Sequence, residues 1–121
     1  MNCELIGQTK FDYYVDNPYS VIIDVRNEEL FQISHIFKAV NIPYNKLSDY
    51  IRHNIKDENN IDILTYKDIF QNKRKTYVIY CEKGTNSLII GNMLGELGYF
   101  TKSLVGGIIG YHGRYLVNND N

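Results

Sequence analysis

Short runs of β-branched and aromatic residues recur along the chain and alternate with segments that carry helical signals. The runs occupy residues 21–23, 39–42, 77–80 and 101–105, with polar residues, glycine or proline close to their ends. Short apolar runs of this kind are typical of buried strands. Because strands alternate with helices along the chain, the pattern predicts an α/β fold built on a parallel sheet.

Two of the predicted helices are short. One is expected from about Glu28 to Ile33, because Asn27 is a suitable N-cap and the acidic side chains of the first turn suit the positive end of the helix dipole. The other is expected over residues 108–116, after a turn at the Gly106-Gly107 pair. This second segment is interpreted as a closing helix.

The clearest helix is expected over residues 86–97. Ile89, Met93 and Leu97 lie four residues apart and form one apolar face of this helix. Gly98 follows and is placed to end it. Gly91 and Gly95 lower the helix propensity of the segment. We interpret them as positions that let the helix lie close to the sheet.

The composition indicates one globular domain. The chain has 121 residues, of which 44% are hydrophobic and 22% are charged, as in ordinary soluble proteins. The polar stretch at residues 56–60 is too short to separate two domains. We expect it to form a surface loop.

The charge balance and the apolar runs exclude several kinds of partner. Lys and Arg total 13 and Asp and Glu total 14, giving a formal net charge of −1, which lacks the basic excess of a nucleic-acid-binding protein. No apolar run approaches the roughly 20 residues of a membrane span. The first ten residues lack the basic and apolar segments of a secretory signal. We therefore expect a cytoplasmic protein with no nucleic-acid or membrane partner.

The two cysteines, Cys3 and Cys81, are too few for a disulfide scaffold. They are not spaced as a CxxC redox pair or a zinc site, so no metal is expected. Each is expected to be a free thiol. Cys3 begins the first strand region and is expected to pack in the interior.

Cys81 occupies a position where chemistry is common. It directly follows the apolar run at residues 77–80 and precedes the helix expected over residues 86–97. In parallel α/β sheets, ligand sites form outside the carboxyl ends of the strands. The loop between can turn several backbone N–H groups inward and form an anion site, which the positive end of the helix reinforces. The helix start and Lys83 favour the thiolate form of Cys81, against a modest opposing effect of Glu82.

The remaining loop residues suit the same anion site. Gly84 permits a positive φ or a close approach of an amide to a ligand. Thr85, Asn86 and Ser87 can donate to a bound oxyanion, or they can simply cap the helix. Position alone leaves two interpretations of Cys81 open, a reactive thiolate and a buried structural thiol.

A second segment bears on that choice. Residues 24–43 read DVRNEELFQISHIFKAVNIP. Without a gap, this segment resembles the rhodanese-family pattern DVR…E-F…G-H-I…A-x-N-I-P. The loop from Cys81 to Ser87 resembles the C-x-x-G-x-R-S active-site loop of that family, and residues 104–108 resemble its later L-x-G-G-I element. The three matches occur in the family's order.

The resemblance extends from about Leu5 to Leu116, and it implies one rhodanese-like domain over residues 1–121, with its core at about 4–117, rather than a fragment of a tandem protein. The implied fold is a five-stranded parallel sheet with helices on both faces. The implied activity is sulfur transfer through a cysteine persulfide on Cys81, with no metal or organic cofactor. The implied substrate-binding residues form the rest of the loop: Glu82, Lys83, Gly84, Thr85, Asn86 and Ser87.

The implied partners are a small sulfur donor, such as the thiosulfate anion or a persulfide, and an acceptor, either cyanide or a thiol that an acceptor protein can carry. Lys83 is expected to guide an anionic donor. Asn86 stands where many members of the family have arginine. Without a guanidinium the loop loses a bidentate partner for an anion, so weak capture of thiosulfate is expected.

Three other departures lie away from the chemistry. Ser34 and Lys38 stand where the family often has glycine, and Tyr111 stands where it often has tryptophan. Because of Asn86, the best alternative function is a non-catalytic regulatory or protein-binding module that keeps the fold and an unused cysteine. Phosphatase or arsenate-reductase chemistry ranks last, because such loops need an arginine six positions after the nucleophile and Ser87 occupies that position.

Polar residues of the 24–43 segment are expected to support the scaffold. Asp24 and Arg26 lie just past a strand, where an ion pair or a turn hydrogen bond can hold the loop. His35 is expected to tie the end of a helix to the next strand by a hydrogen bond, rather than to act as a general base.

Overall fold

The computed structural model describes residues 2–53 and 61–119. In chain order, the strands are β1 (Glu4–Ile6), β2 (Ser20–Asp24), β3 (Ser34–Ile36), β4 (Val40–Asn41), β5 (Thr76–Tyr80), β6 (Phe100–Leu104) and β7 (Leu116–Asn118). The α-helices are α1 (Gln8–Asp16), α2 (Glu28–Ile33), α3 (Tyr44–Arg52), α4 (Ile61–Phe70) and α5 (Thr85–Glu96). Five of the described strands form one parallel sheet in the order β1-β6-β5-β2-β4. The expected five-stranded parallel α/β sheet is confirmed.

The central strand β5 divides the interior into two cores. Tyr77 and Ile79 face one core together with side chains of α3, α4 and α5, including Leu94. Val78 and Tyr80 face the other core, where Phe11 of α1 meets the ring of Tyr80 edge to face. Successive residues of a strand point to opposite faces of the sheet, so the two cores lie on opposite faces. Helices therefore cover both faces of this sheet.

The α5 helix begins and ends one residue earlier than expected, and it lies against the N-terminal segment as its glycines predicted. A Cβ atom on Gly91 would lie 2.3 Å from the Sγ of Cys3, which is itself buried. A Cβ atom on Gly95 would lie 2.1 Å from the carbonyl oxygen of Asn2. The close approach expected of both glycines is confirmed, but the nearest neighbours are residues 2–3, which precede β1, rather than the strands of the sheet.

The closing helix expected over residues 108–116 is wrong. One 3₁₀ turn, Ile108–Gly110, is followed by irregular chain and then by β7, which pairs antiparallel with β3 in a separate two-stranded sheet. The amide of Tyr115 donates to the hydroxyl of Tyr111 (3.0 Å), and that hydroxyl donates to Asp12 (2.7 Å). Tertiary hydrogen bonds replace the helical ones here, and the two glycines of this segment lower its helix propensity.

Two further expectations concern the rest of the chain. The polar stretch at residues 56–60, expected to be a surface loop, lies outside the described residues. Across residues 2–53 and 61–119, the structure contains no helix with both the length and the apolar character needed to cross a membrane.

Candidate active site

Cys81 directly follows β5, which lies between β6 and β2 in the sheet. The loop that follows turns through Gly84, whose φ of 111° is left-handed, and leads into α5. A Cβ atom on Gly84 would lie 3.3 Å from the amide nitrogen of Gly106, so the position needs glycine for its backbone angle and for its surroundings. The loop therefore has the positive-φ glycine that the sequence predicted.

The sulfur atom of Cys81 accepts hydrogen bonds from the start of α5. The amide of Gly84 lies 3.0 Å from Sγ and the amide of Ser87 lies 3.4 Å from it. In the thiol form, Sγ donates to the hydroxyl of Ser87 at 3.4 Å. Cys81 is only 5% exposed, yet two backbone N–H groups point at its sulfur at the positive end of a helix of 12 residues. This environment suits a negatively charged sulfur.

The 3₁₀ turn at Ile108–Gly110 holds the first two residues of the cysteine loop by hydrogen bonds. The amide of Ile108 donates to the carbonyl of Cys81 (2.9 Å), and the amide of Ile109 donates to the carbonyl of Glu82 (3.1 Å). In a trans peptide the carbonyl and the following N–H point in opposite directions. The amides of Glu82 and Lys83 are therefore turned away from the 3₁₀ turn.

Cys81 lines a cavity of about 240 Å³. Its walls come from the cysteine loop and from the chain segments that follow β2 and β4. The residues that line it are Val25, Arg26, Asn27, Leu30, Tyr44, Asn45, Cys81, Glu82 and Asn86. All of these segments follow carboxyl ends of parallel strands, where such a sheet binds its ligands.

Hydrogen bonds hold the wall that faces the cysteine loop. The side-chain amide of Asn41 donates to the carbonyls of Asp24 and Arg26, each at 3.0 Å. The backbone amide of Tyr44 donates to the carbonyl of Val25 at 2.9 Å. Backbone hydrogen bonds thus hold the walls of the cavity: the 3₁₀ turn holds the cysteine loop, and Asn41 and Tyr44 hold the segment after β2.

Asp24 and Arg26 form a buried ion pair. The Nη2 of Arg26 lies 2.8 Å from the Oδ2 of Asp24, and the two side chains are 7% and 0% exposed. The same Nη2 donates to the carbonyl of Ser34 at 2.6 Å. The pair has the scaffold role that the sequence predicted, and the carboxylate offsets the positive charge of Arg26 at the edge of the cavity.

His35 also has its expected role. Its Nδ1 lies 2.9 Å from the carbonyl oxygen of Phe31, and its ring stacks on that of Phe31. The contact joins the last turn of α2 to β3. His35 does not line the cavity.

The predicted site residues fall into three groups. Cys81, Glu82 and Asn86 line the cavity, and the amides of Gly84 and Ser87 contact the sulfur. Lys83 and Thr85 are exposed and do not line the cavity. The loop thus meets the sulfur mainly through its backbone.

The opposite wall was not predicted from the sequence. Asn27 and Asn45 follow β2 and β4, and polar residues just beyond the ends of strands were a usable signal for them. Ser103 of β6, which contacts Ser87, was also missed. Among the described residues, no three His, Cys, Asp or Glu side chains lie close enough to hold a metal ion.

The family model described as Rhodanese-like domain matches residues 8–113 of this chain. The chain belongs to the rhodanese-like domain family. A curated relative, the adenylyltransferase and sulfurtransferase uba4 of Pyricularia oryzae, is 34% identical to this rhodanese-like chain over 79 residues. That match covers 64% of the chain and 16% of the relative, so the chain spans only a small part of the relative's length.

Solved structures share the fold of this rhodanese-like domain. A rhodanese-like domain protein from Staphylococcus aureus superposes with a TM-score of 0.69 at 19% identity, covering 97% of this chain and 99% of that one. A thiosulfate sulfurtransferase from Pseudomonas aeruginosa superposes with a TM-score of 0.73 at 18% identity, covering 98% of this chain and 21% of that one. At these identities the likeness concerns architecture alone.

Proposed function

We propose that the protein is a sulfurtransferase that holds sulfane sulfur as a persulfide on Cys81. The observation that supports this most directly is the pair of amide hydrogen bonds from Gly84 and Ser87 to a cysteine sulfur beside a cavity. Fixed backbone dipoles stabilise charge on sulfur with little reorganisation, as in an oxyanion hole. We assign the catalytic role to Cys81 and donor binding to the rest of the loop, residues 82–87.

In the first step, the Cys81 thiolate attacks the outer sulfur of a donor such as thiosulfate. A new S–S bond forms on Cys81, the old S–S bond of thiosulfate breaks, and sulfite leaves with the electron pair. With an organic persulfide as donor, a thiolate leaves instead. We expect backbone amides of the loop to stabilise the charge on the outer sulfur of the product.

In the second step, an acceptor attacks the outer sulfur and the Cys81 thiolate leaves. The acceptor is a thiol, on a small molecule or on a protein, or cyanide, which leaves as thiocyanate. The curated relative is named as a sulfurtransferase, and this name supports the proposed reaction class. We place the reaction in a reducing compartment such as the cytoplasm, because the mechanism needs the free thiol that Cys81 has in this structure.

The test is the intact mass of the protein after exposure to thiosulfate or a low-molecular-weight persulfide. We expect a gain of one sulfur atom that a reductant reverses, absent from Cys81→Ser and unchanged in Cys3→Ser. Cys3→Ser is the matched control, because Cys3 is equally buried but lies at the N-terminal end of the sheet. A Cys81→Ser variant that gains sulfur as the wild type does would refute the assignment.

The second candidate function is a non-catalytic protein-binding module. The low exposure of Cys81 and the neutral side chain of Asn86 in the cavity favour it. The same mass measurement separates the two functions. A folded protein that gains no sulfur from any donor supports the module.

A further inference from the structure

Ser103 lies outside the cysteine loop but reaches it through Ser87. It belongs to β6, the strand beside β5, and it is fully buried. Its Oγ lies 2.8 Å from the Oγ of Ser87, whose own Oγ lies 3.4 Å from the sulfur of Cys81. A chain of two hydroxyl groups therefore runs from the middle of the sheet to the reactive atom.

The hydrogen atoms of this chain can be assigned by counting. The hydroxyl of Ser87 has one hydrogen and two lone pairs, and it contacts the sulfur, the hydroxyl of Ser103 and the carbonyl of Gly84 at 3.2 Å. When Cys81 is a thiol, Ser87 accepts from the thiol and donates to Gly84. Ser103 must then be the donor toward Ser87. Across the described residues its Oγ has no other hydrogen-bond partner, so this direction also leaves no buried hydroxyl hydrogen unpaired.

The arrangement changes when Cys81 loses its proton. The sulfur then only accepts, and hydrogen bonds to a charged acceptor are roughly twice as strong as neutral ones. The hydrogen of Ser87 can rotate from the carbonyl of Gly84 to the sulfur. The carbonyl of Gly84 keeps a donor, because the amide of Leu88 lies 3.4 Å from it. The sulfur gains a third donor, and the carbonyl of Gly84 is not left without a partner.

We propose that Ser103 is a positioning residue: by donating to the Ser87 oxygen it polarises the Ser87 hydroxyl and strengthens the hydrogen bond that this hydroxyl gives to a negative sulfur on Cys81. The effect on the thiolate follows from the hydrogen-bond geometry. Its extension to the outer sulfur of a persulfide rests on the proposed function.

The experiment measures the rate of alkylation of Cys81 by iodoacetamide as a function of pH. Peptide mapping separates this reaction from any at Cys3, where burial raises the pKa of the thiol. For Ser103→Ala we expect a rate at neutral pH that is lower by roughly two- to ten-fold, the size of one net hydrogen bond, and a midpoint shifted to higher pH. Ser103→Thr keeps the hydroxyl and is expected to react close to the wild-type rate.

The decisive measurement is a double-mutant cycle with Ser87→Ala. Because Ser103 acts through the Ser87 hydroxyl, Ser103→Ala should have no further effect when that hydroxyl is already absent. Equal slowing in both backgrounds, or no slowing by Ser103→Ala, would overturn the proposal. The alkylation result is independent of sulfur uptake. The proposed function can therefore fail while the coupling of the two serines is confirmed, and the coupling can fail while sulfur uptake is confirmed.

Thr101→Val is the matched control. Thr101 lies two residues before Ser103, on the same face of β6, and its buried hydroxyl donates to the carbonyl of Gly91 at 2.9 Å. Its loss should lower the thermal stability without changing the alkylation profile. A slowing equal to that of Ser103→Ala would show that lost packing explains both.

Discussion

Gly107 lies directly against the carbonyl group of Glu82: a Cβ atom at position 107 would be 2.3 Å from that oxygen and 2.6 Å from the amide nitrogen of Lys83. The φ of Gly107 is 63°, in the left-handed region. The contact is between two backbones, so no side chain can move to make space. The glycine pair of residues 106–107 is thus a support for the cysteine loop from behind, and the next residue, Ile108, donates to the carbonyl of Cys81.

Gly107→Ala is therefore expected to displace the cysteine loop. The variant combines a left-handed φ with overlap against backbone atoms, and we expect a loss of stability of about 1–3 kcal/mol. Alkylation of Cys81 and sulfur uptake should fall at temperatures where the protein is still folded. Gly110→Ala is the control, because the space around Gly110 is open and its φ is not left-handed. If both variants keep the wild-type rates, the support role of Gly107 is wrong.

Removal of one partner of the buried ion pair should be strongly destabilising. Arg26→Met leaves the Asp24 carboxylate, which is 0% exposed, without its guanidinium, and breaking such a pair costs about 3–5 kcal/mol. The double variant Asp24→Asn with Arg26→Met removes both charges and should regain part of that loss. Urea unfolding gives both values. Arg114→Met, which breaks the exposed pair with Asp16, should have a much smaller effect.

Buried tyrosines predict a limit of stability at alkaline pH. Burial raises the pKa of Tyr50, Tyr77 and Tyr111 to about 12. In the unfolded chain a tyrosine ionises near pH 10, so above that pH the unfolded state loses protons that the folded state keeps. The stability that these phenols contribute is complete below about pH 10 and is lost as the pH rises toward 12.

We expect cooperative unfolding in that pH range, with phenolate absorbance and the loss of circular dichroism rising together. Tyr50→Phe removes one of the buried phenols whose pKa is raised and should move the transition to higher pH. Complete ionisation of the tyrosines near pH 10 with the secondary structure intact would contradict the interpretation.

The local elements of the sheet could be predicted because each has a local cause. The runs that became β2 and β5 are apolar on both faces, and Gly98 ends the helix beside them with a φ of 96°. The α1 helix was missed. Its buried residues, Phe11 and Val15, are only two, and tyrosines between them obscure the apolar period. The C-terminal segment was misassigned because its partners, β3 and Asp12, are distant in sequence.

The site could be predicted only as far as it is local. Cys81, Gly84 and Ser87 belong to one loop, and their roles follow from a strand end, a turn and a helix start. The wall formed by Asn27 and Asn45 depends on which strands become neighbours of β5, and sequence spacing does not specify that order. Ser103 lies in β6, which reads FTKSL and has three polar residues, so the sequence neither marks it as unusual nor says what it contacts.

The charge at the cavity predicts which donors the protein uses well. Two charged residues line it, Arg26 and Glu82, and the charge of Arg26 is offset by Asp24. Glu82 has no ion-pair partner among residues 2–53 and 61–119. We therefore expect Glu82 to repel anionic donors. The repulsion should be stronger for the thiosulfate dianion than for a persulfide without carboxylate or sulfonate groups.

Glu82→Gln should raise kcat/KM for thiosulfate by roughly five-fold, which corresponds to about 1 kcal/mol of repulsion near a protein surface. Asn86→Arg should raise it further, because a guanidinium offers a bidentate partner to the anion. Both gains should shrink at high salt and be smaller with a persulfide that carries only the single charge of its outer sulfur. Glu96→Gln, an exposed change at the far end of α5, controls for net charge. An equal gain in Glu96→Gln, or with the singly charged persulfide, would show that the local charge of the cavity does not select the donor.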